Sequence, residues 1–392
     1  MVLDVVKMSY YTIDAIDKEG ANINLIWGER SNGKSYQVKH TKGIDIYLKD
    51  TKTYHASYKD KEKIIESVCK KGSRFILMRR WKEEITTEKI EQYFNDVDVM
   101  RLTDGKYNSI SYYRKVLYLA NYDNETGKTT RYDKIGYVVA LSTEQNYAGA
   151  SYLDVTDIIF EEFMSRSIYL AHEPDKLMNF YSTVDRKRGT TRLWLVGNTI
   201  SRVCPYLNDW GLSEIIKKQK QGEIISKWLP TGEIDDTGKP IEIKLAIEYC
   251  RSTGRSSFVI GKHKDMLNKG SWQTDPQPHL PKSRKCYKKL YQVYFQYQNF
   301  KFVGEYLKDI EDSKNVCWFI YPYDKEFKEK KFVFSDEVKI DKYWQRNIYD
   351  LKINNDKLRL FMYNTFRENQ IFYATDLCGT DFKQVIDFEI KR

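Results

Sequence analysis

Gly28-Glu29-Arg30-Ser31-Asn32-Gly33-Lys34-Ser35 is the stretch whose reading decides the fold. Four residues separate the two glycines and Lys-Ser follows directly, the G-x-x-x-x-G-K-[ST] pattern of a phosphate-cradling loop. The apolar run Ile23-Asn24-Leu25-Ile26-Trp27 before it reads as a buried strand, and the segment after Lys34 can open as a helix. In that context, backbone N–H groups from Gly28 through Ser35, those of Arg30, Ser31 and Asn32 included, curl around phosphate oxygens. Lys34 reaches the β- and γ-phosphates and Ser35 holds Mg²⁺. The pattern predicts a nucleoside triphosphate, ATP, with Mg²⁺.

Working outward, 392 residues exceed one ordinary core and predict two domains with a connector. The net charge of +10 favours a polyanionic partner, nucleic acid first. Six cysteines are scattered without any C-x-x-C, so neither a zinc site nor a disulfide framework is expected, and they read as reduced intracellular thiols. No run approaches the length of a membrane span and the N-terminus has no apolar targeting core, so a soluble cytoplasmic chain is expected.

Beyond the loop, Arg74-Phe75-Ile76-Leu77-Met78 reads as a second buried strand ending in Arg79-Arg80, for which a phosphate or interface role and a purely structural one weigh about equally. Ile90, Tyr93, Phe94 and Val97 repeat at helical spacing. Strand alternating with helix predicts a parallel sheet. Two further strands, Lys115 to Leu119 and Ile135 to Leu141, flank a turn-rich stretch and predict an edge hairpin. Asp157-Ile158-Ile159-Phe160-Glu161-Glu162-Phe163 is an apolar strand ending in two carboxylates, one to position Mg²⁺ and one to orient and deprotonate the attacking water. The strand Arg192 to Asn198 ends on an amide placed to sense the γ-phosphate or its water.

The set G-x-x-x-x-G-K-S-Y, F-I-L-M-R-R-W-K, D-I-I-F-E-E-F, S-T-V-D-R-K-R and L-W-L-V-G-N-T-I-S-R-V-C-P-Y, from Ile23 to about Tyr206, resembles the DNA-packaging (encapsidation) ATPases of phi29-type phages. The resemblance implies an additional-strand P-loop ATPase in a homopentameric ring on the portal vertex of an empty capsid, driving double-stranded DNA into it in the host cytoplasm. It implies Glu162 as the catalytic carboxylate, Asn198 as sensor and Arg186 as arginine finger, acting in trans, beside Lys34 and Ser35. Where the family shows Asp-Glu, this chain has Glu161-Glu162, so the metal-positioning acid, Glu161, is one methylene longer.

Residues 1–207 are thus expected to form the ATPase domain, 208–275 a connector or lid, and 276–392 a second domain. In the last, three strands, a helix, a strand and a helix fit an RNase H-like fold, which the family carries as a nuclease relic. Its first strand alternates Tyr291, Val293, Phe295 and Tyr297 with Gln292, Tyr294 and Gln296 and has no acid to bridge two metals. Between Lys262 and Lys301, nine Lys or Arg face two Asp, the composition of a backbone-tracking nucleic-acid surface for DNA or a packaging RNA. A DNA-packaging motor subunit is the leading expectation. A terminase-type large subunit with active nuclease is the alternative, and a switch NTPase that does not translocate is a second.

Overall fold

The structure is a computed structural model and describes residues 11–29, 32–44, 74–147, 149–165, 169–199, 203–234, 237–251, 276–297, 300–325, 332–335, 344–345 and 364–390. It divides into two compact units: residues 1–164, 172–199 and 218–271, and residues 165–171, 200–217 and 272–392.

The first unit is built on a nine-stranded sheet in the order β3-β4-β5-β2-β6-β7-β1-β9-β8. Its strands are β1 (Ile23–Gly28), β2 (Arg74–Arg79), β3 (Ser109–Tyr113), β4 (Val116–Tyr122), β5 (Thr129–Ala140), β6 (Val155–Glu161), β7 (Arg192–Asn198), β8 (Ile224–Ile234) and β9 (Pro240–Tyr249). The six central strands β5, β2, β6, β7, β1 and β9 are parallel. Parallel strands are covered on both faces, which is why β1, β2 and β6 read as continuous apolar runs. Helices α1 (Asp14–Lys18), α2 (Lys34–Val38), α3 (Thr87–Tyr93), α4 (Val99–Leu102) and α5 (Glu173–Asp185) belong to this unit. The register sets Gly28 beside Asn198 and Glu161 beside Val196, so the carboxyl ends of β1, β7 and β6 lie together. In open sheets of this type, ligands bind in the crevice outside those ends.

One expectation is corrected here. The described residues between 218 and 251, expected within a connector or lid, join the first unit's sheet: β9 runs parallel to β1, with Ile23 opposite Leu245 and Trp27 opposite Tyr249, and β8 folds back antiparallel on β9. Leu245, Ala246 and Ile247 are buried, and the Trp27 ring stacks on Tyr249 at 3.9 Å. The cause is hydrophobic: Ile243 to Tyr249 is itself a strand-like run, and charges and turns around it hid the signal. Residues 200–207, expected in the first domain, and 208–217, expected in the connector, fall in the second unit.

The second unit holds a six-stranded sheet in the order β14-β13-β10-β11-β12-β15. Strands β10 (Tyr287–Tyr297), β11 (Phe300–Asp309) and β12 (Val316–Pro322) form an antiparallel meander. The strands β13 (Val333–Ser335) and β14 (Trp344–Gln345) extend it in parallel from β10, and β15 (Gln370–Tyr373) pairs in parallel with β12. Helix α6 (Asp376–Ile390) sends Phe382 edge-on against Phe295 at 5.1 Å. Val293, Phe295 and Tyr297 are buried as the alternation predicts, but Tyr291 lies outside, next to a register shift between Lys289 and Tyr291. Of the helix expected over 358–369, residues 358–363 lie outside the described residues and 364–368 are helical.

Candidate functional site

Gly28 ends β1 at φ 155°, a conformation that favours glycine, and a Cβ there would stand 3.1 Å from that of Cys250. Gly33, at φ 94°, turns the chain into α2. Lys34, the first residue of that helix, is buried, and its ammonium donates to the carbonyls of Gly28 and Glu29, to Asn32 Oδ1 at 3.1 Å and to Asn198 Oδ1 at 3.3 Å. The loop lysine and the amide ending β7 are thereby in direct contact. Asn32 is 1% exposed and its Nδ2 has no hydrogen-bond partner among the described residues, leaving a buried donor in the loop. Tyr11 N–H braces the loop from outside by donating to Asn32 O, while its phenol donates to Glu248 on β9 at 2.8 Å. Arg30 and Ser31 lie outside the described residues.

Ser35 Oγ donates to Glu161 Oε2 at 2.9 Å, joining α2 to the acidic end of β6. Tyr93 donates its hydroxyl to the other oxygen, Glu161 Oε1, at 2.8 Å. Burial pushes the Glu161 carboxyl up from its ordinary range, opposed by the hydrogen bonds from Tyr93 and Ser35 and by the Arg79 charge. The two glutamates differ sharply. Glu162 takes a left-handed φ of 59°, its side chain is 60% exposed, and it faces Arg79 at 3.4 Å. A left-handed non-glycine residue stores strain of about 1–3 kcal/mol and turns the second carboxylate off the strand direction that the first follows.

Arg79 and Arg80 divide the roles that their shared dipeptide left open. Arg80 is buried, chelates fully buried Glu173 through Nε at 2.9 Å and donates to the carbonyls of Glu162 and Phe163. It holds the turn that carries Glu162. Arg79, less buried, lies between Glu84 at 3.6 Å and Glu162 at 3.4 Å. These side chains, with Lys89, Gln92 and Tyr93, line a cleft of about 310 Å³.

Arg186 is not part of this cluster. It caps α5 in the left-handed region at φ 48° and donates to Ala150 O at 2.8 Å, on the approach to the amino end of β6. The seven residues of β7 separate that end from Asn198, about 20 Å along the strand. Arg188, two residues on, is fastened to the carbonyls of Leu153, Val184 and Asp185 and is a structural arginine.

Sequence reasoning missed the roles of Tyr93 and Tyr11 and left that of Arg80 open. Tyr93 sat in an apolar helical stripe whose only polar signal was its phenol. Glu173 and Glu248, which fix the other two, become partners only through the fold.

In the second unit, Lys288, Lys289, Leu290 and Tyr291 are exposed at the start of β10, a basic and aromatic face at the register shift. Trp272 and the lysines at 262–269 lie outside the described residues. Glu305 on β11 is buried and held by Arg284 at 2.6 Å, and Asp309 caps its turn by accepting from Glu311 N at 2.9 Å.

The fold and this cluster define a mixed α/β protein whose glycine loop and acidic strand end meet at the carboxyl edge of one parallel sheet. Residues 50–223 match the family described as Podovirus DNA encapsidation protein (Gp16). The DNA packaging protein of Bacillus phage B103 is 31% identical over 200 residues, 50% of this chain and 50% of the relative. That of Bacillus phage phi29 is 28% identical over 205 residues, 50% of this chain and 48% of the relative. The chain spans about half the length of the curated relatives it matches. Among solved structures, the bacteriophage Phi-29 viral genome packaging motor assembly aligns over 97% of this chain and 99% of that chain, at 19% identity and a TM-score of 0.47. The N-terminal domain of the DNA packaging ATPase from bacteriophage phi29 aligns over 64% of this chain and 99% of that chain, at 23% identity and a TM-score of 0.40. Over residues 50–223 the chain is similar to the podovirus DNA encapsidation proteins, as its sequence resemblance implied. The family match begins downstream of the Gly28–Ser35 loop.

Proposed function

We propose that this chain is the ATP-driven subunit of a viral DNA-packaging motor, which translocates double-stranded genomic DNA through the portal into a preformed capsid. The observation that carries the reading is the bond between Ser35 and Glu161, 126 positions apart in sequence and 2.9 Å apart in space. It joins a loop hydroxyl to a buried carboxylate, beside a loop lysine that touches the Asn198 amide. The order β9-β1-β7-β6-β2, with one strand standing between the loop strand and the acid strand, supports an additional-strand P-loop fold.

The residues fit a magnesium nucleotide. Positive-φ glycines open the loop backbone, Asn32 Nδ2 is a buried donor without a partner among the described residues, and hydroxyl plus carboxylate oxygens suit a hard cation. Ser35 and Glu161 would hold Mg²⁺, which supplies charge neutralisation at the phosphate oxygens when bound. Lys34 would exchange its loop carbonyls for β- and γ-phosphate oxygens, while Asn198 reports on the γ-phosphate through its contact with Lys34. Glu162, exposed beside Arg79, is the carboxylate free to orient and deprotonate a water. Arg186, on the opposite edge of its own sheet, can serve only the site of another copy, which favours a ring, taken as pentameric from the resemblance.

In the second unit, the order β14-β13-β10-β11-β12 supports an RNase H-like sheet with β15 added. The whole of β10 lacks an acid, and an amide or aromatic cannot replace a bridging carboxylate. This unit binds duplex nucleic acid, DNA or a packaging RNA, without cutting it, using the exposed basic and aromatic start of β10.

The test is Lys34→Ala. ATP hydrolysis and packaging are lost, while negative-stain images still show wild-type rings at the portal vertex of procapsids. Near wild-type turnover by Lys34→Ala overturns the ATPase reading, and absence of rings on portals overturns the motor.

A further inference from the structure

We infer that Tyr93 is a positioning residue that aims Glu161 at the metal of the bound nucleotide, a role that rests on the hydrolytic reading above. A glutamate carries one more side-chain torsion than an aspartate, so a buried glutamate that must present a fixed oxygen needs an external hold. Glu161 has two. Ser35 donates to Oε2 at 2.9 Å and Tyr93 donates to Oε1 at 2.8 Å, so each carboxylate oxygen is held by a hydroxyl from a different helix. When Ser35 turns to a cation, the Tyr93 bond is what keeps the carboxylate plane in place.

Tyr93 is itself secured by the helical run that carries Ser35. Lys39 Nζ donates to the Tyr93 carbonyl at 2.7 Å, stands 4.6 Å from its ring centroid and pairs with Asp96. Phe94 packs edge-on at 4.9 Å. Ser35 and Lys39 are one turn apart, so the same run touches the acid and the residue that aims it. The arrangement is that of an outer partner fixing a metal ligand, and such partners affect metal affinity more than folding.

The experiment compares the full-length wild type with Tyr93→Phe, which removes one oxygen and keeps the ring, with Glu161→Gln alongside. Fluorescent ATP analogue binding is measured in EDTA and through a Mg²⁺ titration, Mn²⁺ binding is read by electron paramagnetic resonance, and thermal melts report folding. In Tyr93→Phe, metal-free nucleotide affinity stays within about twofold, half-saturating Mg²⁺ and Mn²⁺ rise about 10–100-fold, and kcat recovers at excess Mg²⁺. An unchanged metal titration in a folded Tyr93→Phe, with wild type and Glu161→Gln differing as expected, makes Tyr93 a packing residue and overturns the inference. Wild type that binds no nucleotide overturns the hydrolytic reading itself, whatever Tyr93→Phe does.

Discussion

At the carboxyl edge of the nine-stranded sheet, Lys34 meets Asn198 and Ser35 meets Glu161, whereas the centre of the six-stranded sheet is filled by Phe295, Phe302, Trp318 and Phe334. Both sheets bury charge, but differently. In the first unit, buried or half-buried polar groups converge on the loop, and Asn32 Nδ2 there is left without a partner among the described residues. In the second, Glu305 is closed by Arg284 and Asp309 by Lys282, while Trp318 Nε1 and Gln277 Oε1 are buried without a hydrogen-bond partner among the described residues. What differs is the kind of group: the first unit gathers a lysine, a hydroxyl and a carboxylate at one end of its parallel strands, while these two acids of the second are closed by cations that hold strands in register. On the function proposed above, the first unit carries hydrolysis and the second nucleic-acid binding.

The sharpest way to break that division is at Arg186. Arg186→Ala binds ATP normally but loses on the order of a thousandfold in hydrolysis by assembled, DNA-bound rings. Mixing it with Glu162→Gln restores part of the turnover, because some neighbouring pairs share one intact site. Lys187→Ala, whose ammonium lies 3.3 Å from Glu233 in an exposed pair, is the control of like charge and keeps wild-type rates. A wild-type rate in Arg186→Ala, or mixtures that never complement, removes the trans assignment.

Next in size is a contrast in stability. Arg80→Ala strands the fully buried Glu173 and costs about 3–5 kcal/mol by denaturant unfolding, whereas Arg284→Ala, from a more exposed pair, costs less. Equal losses would mean that the acid-strand turn is no more dependent on its arginine than β11 is.

The smallest effect concerns Glu248, held by Tyr11 beside the loop strand. Burial raises its carboxyl from the ordinary 4.5 to about 6. The folded chain therefore holds the proton more tightly than the unfolded one. The stability contributed by the protonated form is complete below pH 4.5 and is lost as pH rises through about 6. Glu248→Gln removes that loss and gains up to about 2 kcal/mol at pH 7, a gain that vanishes below pH 5 in thermal melts. A pH-independent difference between the two proteins would place the proton elsewhere.

How much of this was legible in the sequence depended on the range of the signal. The Gly28–Ser35 loop, the runs of β1, β2, β6 and β7, and the acidic pair were readable because each is local: glycine φ, apolar runs and turn residues act over a few positions. The acid-free β10 was equally plain. By contrast, β9 hid behind its charged hairpin until β1 supplied a partner edge, and Arg79 and Arg80 looked alike until Glu173 claimed one of them. Residue types and their order determined that this chain has a phosphate-type loop, an acid-tipped strand and a family. Which glutamate faces Ser35, which arginine is buried, that Tyr93 grips Glu161 and that Arg186 lies at the far edge of the sheet were decided only by the tertiary structure. Those choices depend on distances between residues tens to hundreds of positions apart, and no local pattern encodes such a distance.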